Sequence, residues 1–427
     1  MSLTPIDPAG RVEDVSLHEA AERYGTPLYV YSAATVRQNI KEMSQAFAGL
    51  SHKIHYSVKA NSNLAILQLC KEAGCGFDIV SGGELVRVLR AGGTPQDIIF
   101  SGVGKTTEEI DLALKLGIAC FNVESDQELH RIKQRAQMLD KVAPVSIRVN
   151  PDVDAQTHPY ISTGLRENKF GVSPEAAEKL YAEAHANKFL QVMGIDCHIG
   201  SQIGTADPLV DALYRILELV DRLEAAGIPL EHIDLGGGMG ITYSDEEPLD
   251  LGEYGARVQQ AMAARSQQIF LEPGRSIVAN AGILLTHVEY IKPGINSVDP
   301  GASHDAPAPN FAVVDAAMND LIRPALYQAW HNITNVAPEH DEPIKMWNVV
   351  GPVCESGDFL GKQRPLSIKQ DDLLAVGSAG AYGMVQASNY NSRPRAAEVL
   401  IDGSQMYLVR RRESIEDLLQ LEAIVGN

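Results

Sequence analysis

The sequence predicts an α/β fold, a (β/α)8 TIM-like barrel followed by a mostly β C-terminal domain, and three observations carry that prediction. Strand-like segments alternate with amphipathic helical stretches between residues 50 and 275. Such alternation favours parallel pairing through right-handed crossovers. An open doubly wound sheet could use the same elements, but its GxGxxG fingerprint after the first strand is absent. After about residue 278, short strand-like pieces replace the alternation.

Eight segments make up the predicted barrel. In the first, the apolar residues Ile54, Tyr56 and Val58 alternate with polar ones, as expected of a strand. In chain order the eight read KIHYSVKA, GFDIVS, DIIFSG, CFNVE, VSIRVNP, VMGIDCHIG, HIDLGG and IFLEPG. Eight strand–helix units can close on themselves, and residues 50 to 275 have about the right length for a barrel.

The helical stretches between these strands carry start and stop signals. The segment from Leu64 to Ala73 predicts the helix after the first strand. Thr106 and Ser125 each stand three residues before an acid, Glu109 and Glu128, which predicts N-caps with capping-box partners. The glycines expected to end helices are Gly74, Gly92, Gly117 and Gly227.

The region after residue 278 predicts the β domain. Its strand-like pieces read GILLTHVEYIK, NFAVVDAAM, IKMWNVVG, DLLAVGS and AEVLIDGSQMYLVRR. Residues 293 to 310 are rich in Pro, Gly, Asp and Ser, so we expect a surface excursion there. We expect residues 1–30 to join the β domain, residues 31–278 to form the barrel and residues 279–427 to form the β domain.

Composition and charge exclude several classes of protein. The 427 residues carry a formal net charge of −19, which argues against nucleic acid or anionic membrane as the main partner, though not against an anionic small ligand. No apolar run reaches transmembrane length, and the N-terminus is too polar for a signal peptide. The five scattered cysteines form neither a CxxC pair nor a Cys/His cluster, which argues against a disulfide framework and a metal site. Together these features fit a cytoplasmic protein.

Lys59 stands where the first predicted strand ends and the next helix has not begun. A charged amine is costly in a core, but burial lowers the pKa of a lysine and frees its lone pair to form a Schiff base. A solvated loop lysine is the simpler interpretation of this window alone. In a barrel, however, catalytic groups gather at the carboxyl ends of the strands, and Lys59 would lie there.

Other chemically informative residues follow the later strands. His198 and Ser201 follow the sixth, three consecutive glycines from Gly236 follow the seventh, and Glu272 and Arg275 follow the eighth. Consecutive glycines let backbone N–H groups approach a phosphate, although they also suit a mere tight turn. Taken singly, the histidine could be structural and the last two an ordinary ion pair.

Together these groups match what pyridoxal phosphate (PLP) requires. Lys59 would hold the aldehyde, the glycines with Ser201 would hold the phosphate, and the His198 imidazole could stack on the ring. Glu272 could pair with the pyridine nitrogen and keep it protonated, so that the ring accepts electrons.

The chain resembles the alanine-racemase-like PLP enzymes and, among them, the diaminopimelate decarboxylase family. The resemblance extends from about residue 25 to 420 and rests on specific motifs: YSVKAN, FDIVSGGEL, HIGSQI, DLGGGMGI, LEPGRSIV, MNDLIRPALY, VGPVCESGDFL and AGAYGMVQASNYNSRPR. It implies decarboxylation of meso-2,6-diaminopimelate to L-lysine, the last step of lysine biosynthesis. The cofactor-binding residues it implies are Lys59, Asp78, His198, Ser201, Gly237, Gly238, Glu272, Gly274, Arg275 and Tyr382.

The resemblance also implies how substrate is held. Its second amino acid head group needs cations for the carboxylate and an anion for the ammonium, which suits Arg323 with Arg275 and Glu355 respectively. The implied substrate contacts are Arg275, Arg323, Tyr327, Glu355 and Tyr382. Lys59, His198 and Cys354 are the implied catalytic residues, with Cys354 returning a proton after CO2 leaves. In this family the Cys354 loop comes from the partner subunit of a homodimer.

Three other functions stay open on the sequence. An amino acid racemase on the same fold would need weak protonation of the pyridine nitrogen, against which Glu272 and the CESGDFL loop speak. The second is a decarboxylase of a related substrate, namely carboxynorspermidine, arginine, or D-ornithine or D-lysine. A catalytically silent PLP-binding paralogue is the third, and intact Lys59, Glu272 and Cys354 argue against it.

Overall fold

A computed structural model describes the chain over residues 4–154, 169–294, 309–338 and 340–425. Most of the predicted surface excursion at 293–310 lies outside the described residues. Within these residues, no helix combines the length and the apolar character needed to cross a membrane.

The chain forms two compact units. The first, which we call the barrel unit, comprises Val36–Ile241 and Glu246–Ile277. The second, which we call the β unit, comprises Met1–Thr35, Thr242–Asp245 and Val278–Asn427.

The strands alternate with helices through the barrel unit and follow one another closely in the β unit. In chain order they are β1 (Arg11–Val12), β2 (Val15–Ser16), β3 (Leu28–Ser32), β4 (His52–Ser57), β5 (Gly76–Ile79), β6 (Ile98–Phe100), β7 (Cys120–Val123), β8 (Ala143–Arg148), β9 (Leu190–Asp196), β10 (His232–Asp234), β11 (Gln268–Leu271), β12 (Gly282–Lys292), β13 (Asn310–Val314), β14 (Ile333–Asn335), β15 (Lys345–Val350), β16 (Phe359–Leu366), β17 (Leu373–Val376), β18 (Ala397–Asp402) and β19 (Gln405–Arg410).

The helices lie mainly in the barrel unit, between its strands. They are α1 (Leu17–Tyr24), α2 (Ala33–Ala46), α3 (Leu64–Glu72), α4 (Gly82–Arg90), α5 (Thr107–Leu116), α6 (Asp126–Leu139), α7 (Pro174–His185), α8 (Asp207–Ala225), α9 (Leu251–Ala261), α10 (Arg275–Val278), α11 (Arg323–Tyr327) and α12 (Ile415–Leu419).

The barrel unit contains the predicted closed parallel barrel, with strand order β10-β11-β4-β5-β6-β7-β8-β9. Each of the eight predicted segments supplies one strand, so the (β/α)8 prediction is confirmed. Apolar side chains from neighbouring strands pack together, as the rings of Phe100 and Phe121 do at 6.2 Å between centroids. His232 stacks on Phe270 at 4.1 Å, and His55 lies 4.5 Å from the same ring. The barrel interior is therefore a packed core.

The helix signals are confirmed with one exception. Thr106 and Glu109 form the complete capping box, and Gly117 ends α5 in the left-handed conformation. Ser125 caps α6 by accepting from the Glu128 backbone N–H. The Glu128 carboxylate accepts from Lys105 Nζ at 2.7 Å and from the Glu124 backbone N–H, one residue before the N-cap, at 2.8 Å, and not from Ser125. The capping-box role predicted for Glu128 is therefore wrong, because a buried ammonium needs an anionic partner more than a helix end does.

The β unit is built on one sheet with the order β16-β15-β13-β12-β3-β18-β19. Outside this order, β17 pairs with β12, and β14 pairs with β17. The N-terminal strand β3 lies inside this sheet, antiparallel to β12 and parallel to β18. The buried side chains Leu28, Val30, Ile283 and Leu285 from β3 and β12 belong to one apolar cluster of the unit. The predicted mostly β region is thus confirmed.

Candidate active site

Lys59 lies in a short 3-10 turn, Val58–Ala60, that directly follows β4. The sequence predicted that the strand continues to Ala60, which is wrong by three residues. Ser57 ends the strand because its hydroxyl lies 3.0 Å from both the Asp78 carboxylate and the Glu272 carbonyl oxygen, which ties β4 to its two neighbouring strands. The turn then carries the lysine away from the ladder.

The Lys59 amine donates a hydrogen bond to the Asp78 carboxylate, with 3.0 Å between Nζ and Oδ2. The Lys59 side chain is 37% exposed, whereas that of Asp78 is fully buried. An ionised carboxylate in a core needs a cation or hydrogen-bond donors, and Lys59 and Ser57 supply them. Asp78 therefore holds the amine at the barrel rim while leaving it accessible from outside.

The glycine run after β10 is shaped by close packing against neighbouring loops. A Cβ on Gly237 would lie 2.1 Å from the Glu272 carbonyl oxygen, and one on Gly238 would lie 2.3 Å from the Gly200 carbonyl oxygen. Gly238 also has φ +94°, where an L side chain is strained. The glycines are therefore required for the loop to pass between the loops after β9 and β11.

The N–H groups of this run differ in their partners. The Gly236 N–H donates to Asp234 and the Gly237 N–H donates to His198 Nδ1. The Gly238 N–H has no protein acceptor within the part of the chain that the structure describes. Of the three, Gly238 is the residue whose N–H can donate to a bound anion. The phosphate contact predicted for the whole glycine run is therefore expected at Gly238.

His198 is held as a neutral imidazole. Its Nδ1 accepts from the Gly237 N–H at 3.1 Å, so any ring proton lies on Nε2. Burial lowers the pKa of His198 well below its usual value, and the positive charges of Arg148 and Lys59 lower it further. A neutral ring of fixed orientation is suited to stacking and unsuited to acid catalysis near neutral pH.

Arg275 and Ser201 form the cationic side of the rim. Arg275, at the start of α10, donates from Nη2 to the Ser201 hydroxyl at 3.0 Å and contacts it through Nε at 3.3 Å. The arginine is 7% exposed. A guanidinium and a hydroxyl that already contact each other can bind one anion together.

Glu272 follows β11 and is 6% exposed. Burial raises the pKa of Glu272 well above its usual value, and the negative charges of Asp234, Asp78 and Asp196 raise it further, while Lys59 opposes them. Asn122 Nδ2 lies 3.4 Å from the carboxylate. A buried carboxyl group with this environment favours either a proton or a cationic partner.

These residues fit pyridoxal phosphate. They provide an accessible amine held on a buried carboxylate, a neutral flat ring, a buried carboxyl group that needs a cation, and an arginine–hydroxyl pair beside an N–H without a protein acceptor. A pyridoxal group needs an amine for its aldehyde, a face for its ring, an acid for its nitrogen and donors for its phosphate. The predicted cofactor-binding residues that belong to the barrel unit are Lys59, Asp78, His198, Ser201, Gly237, Gly238, Glu272, Gly274 and Arg275.

The remaining predicted site residues lie in the β unit. Buried Arg323 begins α11, donates to the Tyr243 hydroxyl at 2.7 Å and packs 5.0 Å from the centre of the same ring. Tyr327 ends the same short helix and is half-buried. Tyr382 is half-buried in a turn with φ +56°, a left-handed conformation that is strained for this residue type.

Cys354 and Glu355 lie together in an exposed loop between β15 and β16. Asn391 accepts from the Cys354 backbone N–H at 3.2 Å, and the Tyr390 hydroxyl donates to the Glu355 carboxylate at 2.6 Å. Buried Asp358 accepts from the backbone N–H groups of Val353 and Met318, at 2.8 and 2.7 Å. The loop is therefore held by hydrogen bonds with Tyr390 and Asn391 and by those to Asp358.

Sequence reasoning missed several polar groups that surround these residues. Asp196 and Asp234 stand at the ends of β9 and β10 and are fully buried, and Arg148 ends β8. A charged residue inside an otherwise apolar strand segment was the available signal. In the β unit it missed Tyr243, which holds Arg323, and the signal for that contact is weak because the two residues are 80 positions apart.

Comparisons with known proteins agree with this geometry. Residues 33–279 match the family model described as pyridoxal-dependent decarboxylase, pyridoxal binding domain. The diaminopimelate decarboxylase of Pseudomonas aeruginosa is 53% identical over 413 residues, covering 97% of this chain and 96% of that protein. That of Neisseria meningitidis serogroup A is 53% identical over 410 residues, covering 96% and 98%.

Solved structures give the same answer. The crystal structure of diaminopimelate decarboxylase from Helicobacter pylori complexed with L-lysine is 42% identical, has a TM-score of 0.89 and covers 95% of this chain and 98% of its own. That from M. jannaschii in co-complex with L-lysine is 36% identical, with a TM-score of 0.87 and coverages of 95% and 94%. This chain belongs to the diaminopimelate decarboxylase family of pyridoxal-dependent decarboxylases.

Proposed function

We propose that this protein removes CO2 from meso-2,6-diaminopimelate to give L-lysine, the last step of lysine biosynthesis. The observation that carries the proposal is the rim of the barrel, where Lys59 donates to buried Asp78 and its charge acts on the buried carboxyl group of Glu272. Relatives at 53% identity carry the name diaminopimelate decarboxylase, which supports the choice of substrate.

When bound, pyridoxal phosphate supplies an aldehyde for the substrate amine and a ring that accepts the electron pair left behind by CO2. Lys59 would hold this cofactor through its amine, and Asp78 orients Lys59 Nζ. His198 offers its neutral ring, and Glu272 offers a carboxyl group for the ring nitrogen. The phosphate contacts we propose are Ser201, Gly238, Gly274, Arg275 and Tyr382. The N–H of Gly237 donates to His198, so Gly237 contributes by orienting that ring.

One proton must reach the carbon atom that loses CO2. We assign this donation to Cys354 Sγ, which then recovers a proton from solvent. The described residues include one exposed cysteine, Cys354, while the other four are buried. Burial raises the pKa of Cys75 to about 12 and raises those of Cys70 and Cys120 well above the usual value, so these thiols are unsuited to proton transfer.

The distal head group of the substrate needs charges of both signs. Arg323 is fixed by the Tyr243 hydroxyl and ring, so its guanidinium is oriented to bind a carboxylate. Glu355 is oriented by the Tyr390 hydroxyl and provides the anion for the distal ammonium. Arg275, Tyr327 and Tyr382 complete the proposed substrate contacts.

The assembly, the location and the domain boundaries of the protein also belong to this proposal. The protein would act as a homodimer whose Cys354 loop completes the partner's site. It would act in the cytoplasm, as its few scattered cysteines suggest. Its domain boundaries would fall near residues 30 and 278.

The test supplies purified protein with pyridoxal phosphate and meso-diaminopimelate, and measures CO2 and L-lysine. We expect equal amounts of both products. Parallel reactions with L-arginine, carboxynorspermidine, D-ornithine and D-lysine should release far less CO2. Conversion of meso-diaminopimelate to its LL or DD isomer without CO2 would indicate a racemase, and cofactor binding without any product would indicate a catalytically silent protein.

A further inference from the structure

Three carboxyl groups lie side by side beneath the barrel rim. Asp196 ends β9, Asp234 ends β10, and Glu272 follows β11. The parallel register pairs Asp234 directly with Asp196, and one oxygen from each of the three groups lies within 4.8 Å of the others. Their exposed fractions are 1%, 0% and 6%, so solvent does not separate them. We call this set the carboxyl triad.

The positive charges near the carboxyl triad are already engaged elsewhere. Lys59 pairs with Asp78 at 3.0 Å, and Arg148 pairs with Glu124 at 2.9 Å. Arg148 reaches Asp196 only at 3.8 Å, through Nε. Among the described residues, neither Asp234 nor Glu272 forms an ion pair. The triad therefore holds more carboxyl groups than the nearby cations can neutralise.

The carboxyl triad also has more hydrogen-bond acceptors than donors. Asp234 Oδ1 accepts from the Gly236 N–H at 2.8 Å, but Asp234 Oδ2 and Asp196 Oδ1 have no partner among the described residues. Asn122 is fully buried, and its Oδ1 is also without a partner although its Nδ2 faces Glu272. A proton on one carboxyl group would give these acceptors a donor.

Buried carboxylates this close cannot all be ionised, because their mutual repulsion in a medium of low polarity is large. Burial and, to a smaller extent, the charge of Asp78 raise the pKa of Asp234 to about 7, while the hydrogen bond from the Gly236 N–H opposes them. Burial likewise raises the pKa of Asp196 well above its usual value, and Asp234 raises it further. Charged or titratable groups facing the triad are Lys59, Asp78, Cys120, Glu124, Arg148 and Cys197.

We propose that Asp234 is a positioning residue that shares a buried proton with Glu272, and that this sharing sets the ionisation of the carboxyl group facing the cofactor nitrogen. The inference rests on the proposed function for the role of Glu272. Asp196 contributes the third charge, which keeps the proton in the triad. A cationic ring nitrogen would relieve the crowding of like charges, so the triad favours a cofactor that carries its nitrogen proton.

The first test measures the apoprotein, without cofactor or substrate. Infrared spectra of the wild type should show the carbonyl band of buried protonated carboxyl groups at neutral pH. In Asp234→Asn the band should shrink by more than the loss of Asp234 alone explains, because the asparagine amide donates to Glu272 and lets it ionise. Asp196→Asn should also reduce the carbonyl band, and it replaces Asp234→Asn in this test if that variant folds poorly. Asp97→Asn, which removes a carboxylate paired with Lys53, should leave the band unchanged.

The second test measures the protein loaded with pyridoxal phosphate. At mildly alkaline pH the wild-type pair loses its shared proton and carries two negative charges, whereas Asp234→Asn carries one. The pKa of the ring nitrogen should therefore be lower in Asp234→Asn by about one unit, and this variant should bind cofactor on the order of tenfold more weakly. The alkaline limb of kcat against pH should move to lower pH, which a merely structural role would not cause. A wild-type apoprotein without the band, or an Asp234→Asn protein with unaltered band and pH profile, would overturn the proposal. Neither outcome depends on which amino acid is the substrate.

Discussion

At the scale of single residues, Lys59 and Lys53 of the barrel unit contact an aspartate in similar ways, Asp78 and Asp97 respectively. We expect Lys59→Ala to lose covalent attachment of pyridoxal phosphate, because Lys59 is the amine at the carboxyl rim. Borohydride reduction and mass spectrometry should find a cofactor-modified peptide in the wild type and in Lys53→Ala, but none in Lys59→Ala. Turnover of Lys59→Ala should fall at least on the order of 10³-fold. Attachment retained in Lys59→Ala would remove Lys59 from the mechanism.

Cys354 differs from the other cysteines in its exposure. We expect Cys354→Ala to bind cofactor normally and to lose roughly 10²- to 10⁴-fold in kcat, the usual contribution of a general acid. Iodoacetamide should inactivate the wild type by modifying Cys354, and leave the residual activity of Cys354→Ala unchanged. Wild-type turnover by Cys354→Ala would reduce this residue to a packing role.

At the scale of elements, the loop that carries Cys354 depends on Asp358. Its two carboxylate oxygens accept from the backbone N–H groups of Val353 and Met318. In Asp358→Asn the amide nitrogen must face one of these N–H groups, so we expect a loss of about 1–3 kcal/mol of stability. We expect kcat to fall while cofactor affinity stays the same, measured by steady-state kinetics and cofactor titration. Asp371→Asn, in an exposed turn, is the control; equal losses in both variants would contradict the role of Asp358.

The elements that the sequence predicted well are those with strong local signals. Each barrel strand combines apolar residues with turn residues at its ends, and β12 runs over the residues of the predicted piece GILLTHVEYIK. Strand β16 was missed because Gly361 and Pro365 interrupt it, which an edge strand tolerates. Strand β3 was missed because its partners, β12 and β18, come more than 250 residues later.

The same limit applies to the site. Lys59, His198 and Glu272 could be predicted because each directly follows a strand whose signal is local. The carboxyl triad could not, since it exists only where three strand ends meet, and a single aspartate in an apolar segment does not reveal its neighbours. Long-range contacts such as Arg323 with Tyr243 are likewise invisible to local patterns.

At the scale of the whole molecule, buried titratable groups make stability depend on pH in two opposite ways. Burial lowers the pKa of His232 to about 3, so the stability gained by keeping it neutral is complete above about pH 6.5 and is lost as the pH falls toward 3. The raised pKa of Asp234 acts oppositely, since its contribution is complete below about pH 4 and is lost as the pH rises through about 7.

We therefore expect His232→Phe to flatten the acid limb of apoprotein stability. The Phe side chain keeps the stacking on Phe270 and removes a ring nitrogen, Nε2, that has no partner among the described residues. Urea unfolding across acid to neutral pH measures the effect. Asp234→Asn should instead flatten the fall between about pH 4 and about pH 7. An unchanged acid limb in His232→Phe would mean that other groups dominate acid unfolding.

The proposed homodimer makes the sharpest prediction for the whole molecule. If the Cys354 loop completes the partner's site, each site takes Lys59 from one chain and Cys354 from the other. The substitutions Lys59→Ala and Cys354→Ala then affect different chains of the same site. Mixing the two inactive proteins under conditions that exchange subunits gives a half share of mixed dimers, each with one intact site, so activity should recover to about a quarter of wild type. Combining both substitutions in one chain and mixing it with wild type is the control, because its mixed dimers lose both sites if sites are shared and keep one intact site only if each chain works alone. If each chain instead works alone, the two single variants should stay inactive in every mixture.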